Sequence, residues 1–226
     1  FIKMGIDIKN HNETIKNYIK AQESFNKKDA VQFLKTHSYL FNFNKENAFT
    51  DFNNTLGVIY IVRDPRNVVT SFSKYRGLTN EEMADFMITG SGDGLTWTNN
   101  WASNFNSWKL FKEHKRYLLI KYEDLINKRE LTFLNILNFI HKITKSKLVL
   151  DKEKFDNTIK TTSFEKMQKL EKENGFSEAG INERTGEKVP FFNLGPKNDW
   201  RQFLDPAIIQ KIEKAFKKEM EELSYL

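Results

Sequence analysis

Cysteine is absent from this chain, which excludes a disulfide scaffold, a thiolate metal site and a thiol nucleophile, and fits a reducing, cytoplasmic setting. No run reaches the about 18 consecutive apolar residues of a membrane-spanning helix. The chain opens on Phe1 rather than Met and shows no signal peptide, which reads as a processed start or a fragment. No pairing of His with carboxylates has zinc spacing, so no metal site is expected. No Gly-x-x-x-x-Gly-Lys-Ser/Thr loop occurs, and the glycines of Gly90 to Gly94 follow no predicted strand, so that stretch reads as a turn or lid rather than a dinucleotide fingerprint. Repeats, low-complexity tracts and a convincing linker are also missing. The net charge is +6, but its lysines are spread along the chain instead of forming the basic block of a nucleic-acid binder. An anionic small ligand therefore suits the charge better than nucleic acid.

What is present is a foldable core. The chain has 226 residues, 39% of them hydrophobic and 14% aromatic, enough for one α/β domain or two small ones. Helical spacing predicts helices over 12–22, 65–75, 80–88, 97–113, 129–141, 151–159 and 163–173, and a last one opening at Asp205-Pro206 with Ile208, Ile212 and Phe216 inward. Trp97, Trp101, Phe105 and Trp108 share one helical stripe, read as core. Strands are predicted at Val31 to Thr36, Val58 to Val62 and Tyr117 to Lys121, and residues 175–200 as loop. Strands separated by helices imply a parallel sheet with crossover helices.

Gly57 to Phe72, GVIYIVRDPRNVVTSF, carries the strongest local signal. A β-branched run ends at Arg63, Asp64-Pro65 opens a helix, and Ser71 lies two turns along it. A cation and a hydroxyl thus flank a strand end and a helix N-terminus, a place suited to a phosphate. A plain strand-to-helix junction with a surface arginine remains open on this segment alone. Lys35-Thr36-His37 closes another predicted strand, at the sheet edge where open α/β folds bind ligands. A histidine there can be a general base or a solvated cap, and the triplet leaves both open. His11, His114 and His141 read as structural, and Glu123-Asp124 as an acid/base pair or a helix cap.

Several further segments, taken in order with these, resemble one family, the 3′-phosphoadenosine 5′-phosphosulfate (PAPS)-dependent sulfotransferases, bacterial members especially. The residues carrying the resemblance are Lys35-Thr36-His37; Arg63 with Ser71; Trp101 with Ser107-Trp108; Tyr122-Glu123-Asp124-Leu125; Thr162-Ser163-Phe164 with Met167; and Phe191-Phe192 through Gly195 to Asp199-Trp200-Arg201. The resemblance implies a single α/β domain over 1–226, a P-loop-type three-layer fold with a central parallel sheet flanked by helices. The first strand and the phosphosulfate-cradling loop are expected upstream of Phe1, making this a truncated chain. It implies His37 as general base, Lys35 beside the transferring sulfuryl group, and Arg63 and Ser71 on the 3′-phosphate of the cosubstrate. Tyr122 would contact the adenosine, Thr162 and Phe164 would line the adenine pocket, and the Gly195 backbone would meet the 3′-phosphate. PAP, 3′-phosphoadenosine 5′-phosphate, would be the product. The acceptor would be a small molecule, with alcohol, phenol, amine, sugar, lipid and peptide all open, as is the oligomeric state. Tyr39, Phe41, Phe43 and Phe86 could line its pocket or belong to the core. Two departures stand out: Asn193-Leu194 replace the Arg-Lys that many relatives carry before the glycine, and Asn104 stands where relatives often have His. A P-loop-type kinase and a non-catalytic nucleotide-binding module are the competing readings.

Overall fold

The computed structural model describes residues 1–26, 30–43, 47–90 and 98–226. In chain order its elements are α1 (His11–Phe25), β1 (Asn42–Phe43), β2 (Asn47–Ala48), β3 (Val58–Val62), α2 (Pro65–Arg76), α3 (Asn80–Thr89), α4 (Trp101–Trp108), α5 (Leu110–Glu113), β4 (Tyr117–Lys121), α6 (Tyr122–Asn127) and α7 (Arg129–Thr144). They continue with α8 (Lys152–Thr161), α9 (Phe164–Asn174), β5 (Gly180–Ile181), β6 (Lys188–Val189), α10 (Trp200–Phe203), α11 (Pro206–Ala215) and α12 (Lys217–Glu222). Single 3-10 turns occupy Ile2–Met4 and Gly195–Lys197. Among the described residues the chain is mostly helical, and its parallel sheet is the pair β3 and β4. Two compact units result: residues 1–60 with 90–118, and residues 61–89 with 119–226.

In the first unit α1 packs on β2, and an aromatic cluster fills the interior. Phe41 meets Tyr18 at 5.6 Å and Phe49 at 5.5 Å between ring centroids, and Phe49 meets Trp108 edge-on at 5.7 Å. Each such pair adds about 0.5–1.5 kcal/mol beyond its buried area. Phe41, Phe105, Trp108 and Phe111 are buried, so Phe105 and Trp108 of the predicted stripe are core, and Phe41 with them, while Trp101 is half-buried. Trp97, and Ser91 to Gly94 of the glycine stretch, lie outside the described residues. The predicted helix over 97–113 is two helices, because Lys109 and Lys112 bond to carbonyls three residues back and tighten the backbone there.

The expected strand Val31 to Thr36 does not form. Residues 31–40 run without regular structure, and Val31, Phe33 and Leu34 are exposed. A strand exists only through a pairing neighbour, and among the described residues none pairs with this run.

In the second unit α2 forms where expected. The Asp64 carboxylate accepts from the Arg66 N–H at 3.0 Å, Pro65 fills the first position, and Gly77, at φ 71°, ends the helix. Its buried face, Arg66, Val69, Thr70 and Ser73, packs against α3, α10 and α11. Ile208, Ile212 and Phe216 point inward as expected, though the Asp205 side chain makes no capping bond. Residues 175–200, expected as loop, contain the small antiparallel pair β5–β6 and the Gly195–Lys197 turn.

Candidate functional site

Arg63 and Arg66 stand three residues apart and have opposite surroundings. Arg66 is saturated. Its guanidinium bonds Asp64 (2.7 to 3.2 Å), Glu213 (2.5 Å) and the Tyr225 carbonyl (2.9 Å), and stacks on the Trp200 ring at 4.1 Å. Burial pulls its pKa down, but the bonds to Asp64 and Glu213 outweigh that, and the net shift is upward. Arg63 has no such partners. Its guanidinium lies over the Tyr122 ring at 4.3 Å and donates one long bond, 3.3 Å, to the Gly195 carbonyl. Its Nε–H is buried with no acceptor, and among the described residues no carboxylate pairs with it. Burial pushes its pKa down, only partly opposed by Tyr122 and by the charges of Glu123 and Asp64. A half-buried cation short of acceptors is a place where an anion lowers the energy.

The elements around Arg63 converge from far apart in sequence. Gly195, at φ 51°, lies so close against Phe164 that a Cβ there would overlap the ring atoms Cε2 and Cζ. Phe164 begins α9 just after Ser163, whose hydroxyl caps it through the Lys166 N–H at 3.2 Å. The segment after Gly195 docks on α2. Asn198 donates to the Asn67 carbonyl and accepts from the Thr70 hydroxyl, both at 2.8 Å, while the Trp200 N–H bonds the Asn67 side chain at 2.9 Å. Ser71 sits one helical turn beyond Asn67 on the same face, exposed, its hydroxyl with no partner among the described residues. Thr162 is fixed by Arg129, whose Nη2 donates to its carbonyl (2.5 Å) and hydroxyl (2.7 Å).

The α2 N-terminus itself is filled by the protein. Asp64 takes its first-turn amide, so the anion attracted to that end is the chain's own carboxylate. The cation beside it, Arg63, keeps an Nε–H with no acceptor. Glu123 braces this turn, accepting from the Asp64 N–H (3.2 Å) and the Tyr225 hydroxyl (2.9 Å).

In the first unit, Lys35 and His37 lie on the exposed 31–40 run. Its end is laid along one face of α4. Asn104 Nδ2 donates to the His37 carbonyl at 3.0 Å, Trp108 Nε1 to the Ser38 carbonyl at 3.0 Å, and the Leu40 N–H to the Ser107 hydroxyl at 2.9 Å. Asn104 also accepts from the Tyr60 hydroxyl at 2.9 Å. His114 packs on Phe52 with ring centroids 4.1 Å apart and planes tilted by 53°, and His141 Nδ1 meets the Ser146 hydroxyl at 2.6 Å.

The family model of the sulfotransferase domain matches residues 5–224. The chain belongs to the sulfotransferase family. Sulfotransferase 2A1 of Macaca fascicularis is 25% identical over 176 residues, covering 76% of this chain and 59% of the relative. The 3-beta-hydroxysteroid sulfotransferase of Cavia porcellus is 26% identical over 175 residues, covering 75% and 58%. The chain thus spans less than two thirds of the length of these relatives. Among solved structures, retinol dehydratase in complex with androsterone and inactive cofactor PAP superposes with a TM-score of 0.60 at 17% identity, covering 95% of this chain and 66% of that one. Mouse sulfotransferase SULT7A1 complexed with PAP gives 0.53 at 20%, covering 73% and 58%. These likenesses show the sulfotransferase fold, and the family uses PAPS.

Seen as a sulfotransferase, the chain has Arg63, Tyr122, Phe164 and Gly195 brought together, Ser71 one turn from where the Gly195 segment docks, and Thr162 held beside Phe164. Lys35 and His37 belong to the other unit. Sequence reasoning missed Arg66, Arg129 and the service of Asn104. A charge inside the Arg-Asp-Pro-Arg run was the available signal for Arg66; Arg129 and Asn104 act through bonds to residues distant in sequence, which leave no local pattern.

The Tyr225 phenol is held above its ordinary pKa of 10.0, first by burial and then by Glu123 and Asp64. A raised phenol supports the fold below pH 10 and stops doing so as the pH climbs, because the unfolded chain then releases a proton that the folded one retains. Thermal stability is expected to fall above that pH with a slope of at most about 1.4 kcal/mol per pH unit from this group. Melting curves from pH 9 to 11 check it: Tyr225→Phe should flatten the decline, and parallel declines would refute the assignment.

Proposed function

We propose that this chain is a PAPS-dependent sulfotransferase that moves a sulfuryl group to a hydroxyl or amine acceptor. The observation that carries the reading is Arg63, a half-buried guanidinium with an acceptorless Nε–H at the Gly195 turn, beside an arginine that has all its anions. In this reading Arg63, Ser71 and the Gly195 backbone hold the 3′-phosphate, Tyr122 the adenosine, and Thr162 and Phe164 the adenine. Arg63 then accounts for a clamp that survives Asn193-Leu194 in place of Arg-Lys. In the transfer, His37 accepts the acceptor proton, the acceptor oxygen or nitrogen bonds to sulfur, and the sulfur–oxygen bond to the 5′-phosphate breaks, its electron pair leaving on PAP. Lys35 stands beside the charge developing on the sulfuryl oxygens. Positioning and fixed charge carry such an in-line transfer, as in phosphoryl transfer.

Calorimetric titration with PAP and AMP tests the nucleotide class. The expected result is a clear preference for PAP that Arg63→Ala removes, weakening PAP by about 1.5–3 kcal/mol, the range for a charge-assisted hydrogen bond, and leaving AMP nearly unchanged. Equal losses for both nucleotides contradict the 3′-phosphate assignment.

A further inference from the structure

One face of α9 is aligned with the whole segment that leads into Gly195. Phe164, Gln168 and Glu171 recur at the spacing of a single helical face. Phe164 meets Gly195. One turn on, Gln168 Nε2 donates to the Phe192 carbonyl at 2.8 Å and the Asn193 carbonyl at 3.2 Å. Almost another turn on, the two oxygens of the Glu171 carboxylate accept from the Phe191 N–H at 2.7 Å and the Phe192 N–H at 2.9 Å. Helix and segment therefore run in opposite directions, matched contact by contact. Apolar contact supplies part of the match: the Phe164 and Phe192 rings meet edge-on at 6.1 Å, and Phe176 packs on Phe191 and Phe192 at 5.1 and 5.3 Å. No residue of α9 is buried, and Phe191 is exposed. Behind the contacts lies an open cavity of about 270 Å³ lined by Gln168, Glu171, Phe176, Pro190 and Phe192 among others. Four hydrogen bonds from two side chains, two of them to the Glu171 carboxylate, fix the main chain of the segment in addition.

We propose that Gln168 and Glu171 are positioning residues for the nucleotide. They clamp Phe191 to Asn193 so that the Gly195 turn stays against Phe164 and Arg63, and so set the pocket's preference for a 3′-phosphate. The inference rests on the PAPS reading and deepens it: with Asn193-Leu194 where relatives carry two cations, the backbone of the turn bears more of the phosphate binding, and its placement matters more. Neither clamp residue touches the nucleotide in this account.

The test uses the full chain and its Gln168→Ala and Glu171→Ala variants, with PAP and AMP as probes. Each variant is expected to bind PAP about tenfold more weakly, as if one hydrogen bond from the displaced Gly195 turn to the phosphate were lost, with AMP affinity unchanged. Glu171→Gln keeps one acceptor oxygen and should recover part of the loss. Hydrogen exchange at the Phe191 and Phe192 amides should speed up in Glu171→Ala even with no nucleotide present, a readout that stands whether or not PAP is the ligand. A parent chain that prefers PAP, with variants that keep the same PAP-to-AMP ratio, overturns this inference alone, as does unchanged amide exchange. A parent chain with no preference for PAP overturns the nucleotide reading and this inference together.

Discussion

Replacing His37 by alanine is expected to lower sulfuryl transfer by about 10²- to 10⁴-fold, the contribution of a positioned general base, and to leave PAP affinity within about twofold. The argument starts from how the residue is held. The described bonds that lay residues 37–40 on α4 all engage the main chain of that run: the carbonyls of His37 and Ser38 and the N–H of Leu40. Removing the imidazole leaves those three anchors in place. Nucleotide affinity, by contrast, is assigned to Arg63, Phe164 and Gly195, which belong to the other unit. Turnover and binding should therefore separate. Single-turnover transfer from PAPS to a panel of phenols and aliphatic alcohols, alongside PAP titration, reads both. Transfer by His37→Ala within threefold of the parent would remove the base assignment. A parallel loss of PAP affinity would make His37 a binding residue instead.

The second large effect is on stability. Arg66→Ala is expected to cost about 3–5 kcal/mol, the range for breaking a buried ion pair by removing one partner. Arg66 and Asp64 are both nearly inaccessible, with side-chain exposures of 7% and 8%. Without the guanidinium, the Asp64 carboxylate keeps only the main-chain amide of residue 66, Glu213 loses its partner, and the Tyr225 carbonyl loses its donor. The Trp200 ring also loses the cation stacked on it. Urea denaturation measures the cost as a drop in midpoint. Adding Asp64→Asn to the arginine variant should recover a substantial part, because it removes the stranded charge while keeping an oxygen to cap α2. A double variant as unstable as the single one would show that packing, not charge, holds this network.

Much of the site was legible because its signals are local. The Val58 to Val62 run, Asp64-Pro65 and the helical spacing over 65–75 place β3 and α2 within a residue or so of where they form. The helix expected over 163–173 forms at Phe164–Asn174, with Ser163 just outside it as its cap. The same local logic failed at Val31 to Thr36. A run of Val, Phe and Leu has the composition of a strand, but composition does not supply a pairing partner, and these side chains are exposed. It failed again at the α2 N-terminus, where the expected phosphate position is filled by Asp64, a carboxylate whose second task, holding Arg66, depends on how α2 meets α11 and the end of the chain.

By itself, then, the sequence determined which segments could be helices, where α2 begins and ends, which aromatic stripe contributes to the core, and which family's motifs the chain carries in order. Those follow from periodicity, capping chemistry and residue identity, all of which act over a few neighbouring residues. The tertiary structure decided which of two nearby arginines is paired with carboxylates and which is not. It also decided that Gly195 must be glycine because Phe164 lies against it, and that Gln168 and Glu171 meet a segment some twenty residues away. These are contacts between distant parts of the chain, and their energies exist only once burial has brought the partners together and removed the water that would otherwise have satisfied them.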